Sequence, residues 1–477
     1  MRTLIWIRRD LRTRDNTALH EAARAASRGV IAVFLLSPAQ WRKHDDAPVK
    51  IDLWLRTLGE LSRDLAARNI PLLIRTADRF ADAPRVLLDL ARAFECDALH
   101  YNREYEVNER DRDDAVTRAF EDDGRRVHAH HDHVAIAPDA IETGQGGYYT
   151  VFTPYKKSWI RRADERGGFE VLPAPKRQPE MVTHADQVPT SVDGFPVERS
   201  MADRWPAGET AGRRRLAAFI RERLHEYKDR RDFPGTNGTS VLSPYLAAGI
   251  ISPRQCIAAA LDANRGRYDS GDAGAVQWIS ELIWREFYVH ILTGFPRVSR
   301  HQPFRLETRA IEWSDDEAHF EAWAAGRTGY PLVDAAMRQL VQTGWMHNRL
   351  RMVAAMFLTK NLFIDWRRGE RFFMQHLVDG DLASNNGGWQ WSASTGTDAS
   401  PYFRIFNPIS QSRKFDADGG FIRRFVPELE GVEAERIHEP SRLPSLLRSG
   451  LDYSEPIVDH SVTRQRAIEA FRSLKQA

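Results

Sequence analysis

Over its first 135 residues the chain alternates short apolar runs with longer amphipathic stretches. Thr3–Arg9 (TLIWIRR) opens with an unbroken apolar run, the pattern of a strand buried on both faces, and Val30–Ser37 (VIAVFLLS) repeats it. Leu72–Thr76, Ala98–Asn102 and Arg126–Asp132 are further strand candidates. Asn16–Ser27, between the first two strands, has the period of an amphipathic helix. Strands alternating with helices predict a doubly wound parallel sheet. After the first strand the chain reads WIRRDLRTRDN, with no G-x-G-x-x-G. A standard dinucleotide-binding domain is therefore not expected, and any ligand of this domain belongs at the carboxyl ends of the strands.

From Phe169 to about Gly212 the period dissolves, and Pro173, Pro175, Pro179, Pro189, Pro196 and Pro206 punctuate a polar connector. Beyond it the pattern is helical almost to the end. The organisation expected is an α/β domain over residues 1–135, a connector over 136–211 and an all-α domain over 212–477. In SELIWREFYVHIL, Glu281, Trp284, Arg285 and Tyr288 are spaced to share one helix face. In GWMHNRLRMVAAMFL, Trp345, Asn348, Arg349 and Met352 repeat those offsets. Core helices place Leu, Val and Ala there. Burying Glu281 or Asn348 without a partner costs roughly 1–3 kcal/mol. The faces therefore predict either an ion pair and an amide inside a bundle, or a ligand that stacks and hydrogen-bonds.

The 477 residues suit two or three domains, and 42% hydrophobic with 28% charged residues is the balance of a soluble enzyme. Runs such as Val30–Leu36 and Met352–Leu358 are too short to span a bilayer. The start MRTLIWIRRD has no signal-peptide h-region, and Cys96 and Cys256 make no disulfide framework. A cytoplasmic monomer is expected. The net charge of +2 neither demands nor excludes a polyanionic partner. Tryptophan is the outlier, with thirteen in the chain and eight of them from Trp278 to Trp391.

One stretch, DGDLASNNGGWQW (Asp379–Trp391), concentrates carboxylates, amides, glycines and indoles. Its opening resembles a calcium loop, but Ala383, Ser384 and Gln390 occupy the positions of a ligand, the turn glycine and the closing glutamate. No metal site is expected. The set suits a flat, hydrogen-bonding, π-rich ligand instead.

Taken in order, WIRRDLRTRDN, YNREYEVNERDRD (Tyr101–Asp113), RDFPGTNGTSVLSPYLAAG (Arg231–Gly249), SELIWREFY (Ser280–Tyr288), TGYPLVDAAMRQL, GWMHNRLRMVAA and the stretch above resemble the photolyase/cryptochrome family. Within it, the chain is similar to the class I cyclobutane pyrimidine dimer photolyases, over essentially its whole length. The resemblance implies an α/β antenna domain, a long interdomain loop and a helical domain holding a bent FAD that works in its reduced form, FADH⁻. It implies light-driven splitting of pyrimidine dimers in UV-damaged DNA by an electron from the excited flavin. The alternative within the family is a cryptochrome-like blue-light sensor that binds FAD without repair.

Carried onto this chain, the resemblance implies that Tyr227 and Thr239, Ser240, Val241, Leu242 and Ser243 hold the FAD phosphates, a role that small hydroxyls and backbone N–H groups suit. Trp278 and Arg285 pack and pair around the cofactor. Asp379 and Asp381 bond the isoalloxazine edge and ribose region, Asn385 faces flavin N5, and Gly387 and Gly388 let the backbone approach. A neutral amide at N5 accepts its N–H without adding negative charge. Trp284 and Trp391 form the wall against the flipped dimer, Glu281 and Asn348 hydrogen-bond it, and Met352 packs beside it. An ionised Glu281 cannot donate to a thymine carbonyl, so it is expected either to be protonated there or to accept from N3–H. The 6-4 photolyases place histidines where this chain has Asn348 and Met352, which matches the cyclobutane type. Arg231, Arg285 and Arg349 are the phosphate candidates. Trp389, Trp366 and Trp313 match the family's electron-carrying tryptophans. His44, Asn108 and Glu109 match members with a methenyltetrahydrofolate antenna. Arg300 stands where those members often carry lysine, which changes the geometry of the contact and leaves a deazaflavin open.

Overall fold

The computed structural model describes residues 1–474. Strands β1 (Thr3–Ile7), β2 (Val30–Leu36), β3 (Leu72–Thr76), β4 (Ala98–Asn102) and β5 (Arg126–His130) form one parallel sheet, in the order β3-β2-β1-β4-β5. This is the expected doubly wound topology, and the order reverses between β1 and β4. Three strands end one or two residues before the expected stretches Thr3–Arg9, Val30–Ser37 and Arg126–Asp132 do, at polar residues. Arg8 and Arg9 turn into ion pairs, and Ser37 stands at the N-cap position of the next helix without a side-chain capping bond. The crossovers carry α1 (Thr17–Ala25), α2 (Pro38–Lys43), α3 (Pro48–Ala66), α4 (Ala83–Ala93) and α5 (Val107–Asp122). Asn16 starts α1 as its N-cap, accepting from the Leu19 N–H at 3.0 Å.

The chain continues through α6 (Phe152–Glu165), α7 (Arg199–Ala202), α8 (Gly208–Glu222), α9 (Tyr227–Arg230), α10 (Ser243–Ala247), α11 (Pro253–Ala263) and α12 (Ala273–Gly294). Then come α13 (Glu317–Ala324), α14 (Pro331–Thr343), α15 (Asn348–Met356), α16 (Trp366–His376), α17 (Leu382–Ala393), α18 (Pro408–Phe415), α19 (Gly420–Phe425), α20 (Ser445–Arg448) and α21 (His460–Ser473). A single π-helical turn, Phe357–Asn361, follows α15. No helix among the described residues is long and apolar enough to cross a membrane.

The compact units cut across the division expected from chain order. The first comprises Met1–His225, Ser240–Pro296 and Val378–Ala383. The second comprises Glu226–Thr239, Arg297–Leu377 and Ser384–Ala477. Helices α10 to α12 thus belong with the sheet, for a visible reason. Gly249 lies so close to the turn after β1 that a Cβ there would sit 1.9 Å from the Arg9 carbonyl oxygen, and its φ of +62° also favours glycine. The Gly249 carbonyl in turn accepts from Arg12 Nη1 at 2.9 Å. In the second unit α14 to α17 and α19 surround a core that includes Trp323, Trp366 and Trp389.

The far side of the sheet carries a histidine cluster. His100 on β4 pairs with His128 on the edge strand β5, and His100 Nδ1 lies 3.2 Å from His130 Nε2. Burial, and then the neighbouring His128 and His130, push the His100 imidazole down to about 3. In the unfolded chain it titrates near 6.5. Below that pH the unfolded state takes a proton that the folded state refuses. Stability is therefore lost as pH falls, by about 1.4 kcal/mol per unit from this group until its folded value is reached. Tm is expected to fall between pH 8 and pH 5, and His100→Phe to shrink that fall. An equally steep fall in the variant would reject the assignment.

Candidate functional site

In the first unit the site residues stand on α12, capped by Asp272, which accepts from the Ala275 N–H. Trp278 is buried against Phe219 of α8, with ring centroids 4.8 Å apart. One turn on, Glu281 is half-buried and accepts from Gln277 Nε2 at 2.8 Å. Trp284 lies flat on Phe152 of α6, with centroids 3.7 Å apart and planes 10° from parallel. Phe152 is a contact the sequence reading missed. It covers one face of the indole, which is half-buried. Arg285 Nη1 donates to the His133 carbonyl at 2.7 Å, while its Nη2 is buried and makes no hydrogen bond to the protein. A buried guanidinium nitrogen left this way is a donor suited to a ligand.

What aims α12 is the residue after Arg285. Glu286 is 1% exposed, on the apolar side of the helix with Ile283 and Phe287. Its carboxylate accepts from the backbone N–H of Ala135 and of Ile136 and, at 2.7 Å, from Trp159 Nε1. The chain after β5 and helix α6 are thereby fixed to α12. A glutamate amid apolar helix positions was the sequence signal for it.

Asp379 and Asp381 are both buried, and Asp381 lies 3.7 Å from Arg9 Nη1. The Ser240–Ser243 stretch leads into α10, and Val241 holds a left-handed φ of +51° there. At the N-terminus of α5, the Asn108 amide lies 3.0 Å from His44 Nε2, and Glu109 Oε1 lies 3.5 Å from His44 Nδ1. Burial, then Glu106 and Glu104, push the Glu109 carboxyl up to about 8. The structure thus brings together three of the four antenna candidates. Arg300 is in the second unit, exposed on the 3₁₀ turn Val298–Arg300.

In the second unit, Asn348 is the exposed first residue of α15, and Met352 is half-buried one turn later. Trp345 does not share their helix face, as the periodicity predicts it should. Gly344, at φ +71°, ends α14, and His347 caps α15 by accepting from the Arg349 N–H, so Trp345 lies in the break. Arg349 pairs with Asp232 at 2.8 Å and lies over Phe415. Arg231 stands 3.8 Å from the same carboxylate and over Tyr227, which is buried. Thr239 is half-buried at the end of that segment.

Helix α17 carries the amides in a fixed orientation. Asn385 Nδ2 donates to the Glu370 carbonyl of α16 at 2.9 Å. A carbonyl only accepts, so the Asn385 Oδ1 is the end turned away from α16. Asn386 Nδ2 donates to the Glu370 carboxylate at 2.9 Å, and Gln390 Nε2 donates to Asn386 Oδ1 at 2.8 Å. At Gly388 an added Cβ would meet nothing within 4 Å, so the helix surface is open there. Trp389 is buried against Phe373 and Trp323, with centroids 4.9 and 6.0 Å away, and its Nε1 has no hydrogen-bond partner. A Cβ on Gly369 of α16 would lie 2.1 Å from that indole, so glycine is needed for the packing. Trp366 begins α16 and is buried, Trp313 packs half-buried on Phe363 at 5.1 Å, and Trp391 is half-buried. Within the second unit, an oriented amide oxygen and open helix surface beside glycine suit a flat, hydrogen-bonding ligand such as FAD.

The family profile described as "DNA photolyase" matches residues 3–179, and "FAD binding domain of DNA photolyase" matches residues 278–473. The chain is 45% identical over 473 residues to the deoxyribodipyrimidine photo-lyase of Salmonella typhimurium, covering 99% of each chain. It is 44% identical over 475 residues to that of Escherichia coli, again covering 99% of each. A bacterial class III photolyase structure from Agrobacterium tumefaciens superposes with a TM-score of 0.87 at 37% identity, over 100% of this chain and 98% of that one.

Glu286→Gln replaces a carboxylate that three N–H groups address with an amide that turns its own NH₂ toward one of them. A buried donor left facing donors costs about 1–3 kcal/mol. Denaturant unfolding is expected to show a loss of that order, with a lower midpoint and an unchanged m-value. A variant as stable as the parent would show that α12 is aimed by something else.

Proposed function

The chain belongs to the DNA photolyase family, and on that footing we propose that it is an enzyme that repairs cyclobutane pyrimidine dimers in DNA with light. The observation that carries this is likeness over the full length, at 45% identity, to a protein named for that lyase activity. The same likeness favours repair over a cryptochrome-like sensor. Reduced FAD, once excited, supplies the electron that opens the cyclobutane ring.

The residues of this chain supply the setting. Trp284, stacked on Phe152, offers a flat apolar surface to the dimer; the family likeness assigns it Trp391 as a second wall and Met352 as an apolar packing contact. Glu281 and Asn348 hydrogen-bond the dimer, the one held by Gln277 and the other exposed at a helix start. Asn385 presents its amide oxygen to flavin N5–H, and Arg285 offers its spare Nη2 to the cofactor. Tyr227, Thr239–Ser243, Trp278, Asp379 and Asp381 complete the FAD contacts. For Arg231 and Arg349, a DNA phosphate exchanges places with Asp232, which holds both near it. Trp389, Trp366 and Trp313 carry electrons inward from the surface. Their common core supports this reading.

We also assign a methenyltetrahydrofolate antenna to His44, Asn108 and Glu109. The amide that meets His44 Nε2 and the carboxyl beside Nδ1 offer donors and an acceptor to a pterin edge. A folate absorption band that is released on denaturation, and is missing from Asn108→Ala, is expected. A deazaflavin spectrum would replace that assignment.

The function is tested on a thymine-dimer oligonucleotide. The flavin-loaded protein, reduced without oxygen, is expected to restore intact thymines under blue light and not in the dark. Flavin binding without repair would overturn the reading in favour of a sensor. In the same assay Trp366→Phe is expected to repair normally when pre-reduced, while its photoreduction from oxidised flavin slows at least tenfold. Loss of repair by the pre-reduced variant would remove Trp366 from the electron path.

A further inference from the structure

We propose that His301 and Glu370 form a proton inlet that lets bulk solvent set the charge held behind the flavin-facing amides of α17. The inference deepens the flavin reading and rests on it. Glu370 is a fully buried carboxylate, with 1% of its side chain exposed, whereas the His301 side chain bonded to it is 56% exposed. His301 Nδ1 lies 2.9 Å from Glu370 Oε2. The other oxygen, Oε1, accepts from Asn386, and the Glu370 carbonyl accepts from Asn385. A solvent-facing ring and a buried acid thus share one hydrogen bond, one residue removed from the amide assigned to the flavin.

The transfer balances with the groups present. A proton from a solvent acid bonds to His301 Nε2, the Nδ1–H bond breaks, and an O–H bond forms on Glu370 Oε2. The imidazole ends neutral in its other tautomer, and the carboxylate ends as a neutral acid. Asn386 keeps its donor bond throughout, because Oε1 accepts in either state. The amides therefore do not flip, and only the charge behind them changes. Negative charge added to a flavin beside α17 is offset by one proton taken up through this route.

The surroundings are consistent with one inward route. From α17 the carboxylate meets neutral amides, Asn386 and, through Asn386, Gln390. From α16, Arg367 Nε donates to the His301 carbonyl at 2.7 Å, and its own charge is matched by Asp365 at 3.0 Å. Arg300 precedes His301 and is exposed. His301 holds a left-handed φ of +57°, at the end of the 3₁₀ turn Val298–Arg300.

The test uses the flavin-loaded protein with a pH-indicator dye in weak buffer. Flavin is photoreduced with a thiol donor, and proton uptake is timed beside the flavin absorbance. His301→Gln is expected to slow uptake at least tenfold, and added imidazole to restore it. Glu370→Gln is expected to abolish that phase, and imidazole not to restore it. Uptake at the parental rate in His301→Gln, or a defect that imidazole leaves untouched, would overturn the inlet alone. Purified protein that retains no flavin would overturn the flavin reading and the inlet with it.

Discussion

Arg8, Arg9 and Arg12 follow the first strand within five residues, and the fold buries all three almost completely. A buried guanidinium must be paired, or the desolvation cost is several kcal/mol. The pairing partners determine what else comes to this end of the sheet. Arg8 takes Asp113 of α5 at 2.5 Å, and Arg9 takes Glu104, Glu106 and Asp381. Arg12 takes Asp132, which also pairs with Arg254 of α11 at 2.7 Å. These arginines stand at the reversal of strand order, where a dinucleotide-binding sheet would place a glycine-rich turn. Here the crevice is filled by the chain's own charges.

That network explains why part of the helical half belongs with the sheet. Arg254 draws α11 to the ends of β1 and β5, Gly249 lets α10 touch the turn after β1, and Arg9 fixes the segment holding Asp381. Helix α12 is then anchored twice more, by Glu286 and Arg285, to the chain that leaves β5. The residues assigned to lesion and cofactor on α12 are therefore positioned by ion pairs and backbone hydrogen bonds within the first unit. Precise placement of a stacking indole needs such support, because apolar packing alone tolerates sliding.

The first two strands were legible because each is a compact run of buried apolar residues, and the helix between them through its amphipathic period; the edge strand β5, RVHAH, has no fully buried residue and carries no such run. Asn385, Trp389 and Glu281 were singled out through family likeness and their crowding in short motifs. The break at Trp345 was not, because a helical period continues numerically across a glycine that ends one helix and a histidine that caps the next. Phe152 was missed for a different reason. Its partner Trp284 is more than a hundred residues away, and nothing local to Val151–Thr153 signals a stacked ring. The Asp232 pairing of Arg349 is equally non-local, and it gives a phosphate candidate a carboxylate partner already in place.

The choice of asparagine at position 385 follows from what lies behind it. The Glu370 carbonyl takes a hydrogen bond from the Asn385 amide beyond that of its own helix, and an ionised aspartate has no such donor, so aspartate there would set two acceptors against each other beside a buried carboxylate. Asparagine satisfies the carbonyl and still turns an oxygen outward. The buried indole nearby is treated in the opposite way. Trp323 Nε1 donates to the Ala354 carbonyl at 3.1 Å, whereas Trp389 Nε1 donates to nothing in the protein. An indole that loses an electron becomes acidic, and without an acceptor it keeps its proton. On the electron-transfer reading, Trp389 cannot trap the positive charge as a neutral radical, so the charge passes outward to the half-exposed Trp313, where solvent can take the proton. The same local property, hydrogen-bond satisfaction, thus orients the amide and leaves the indole able to pass charge on.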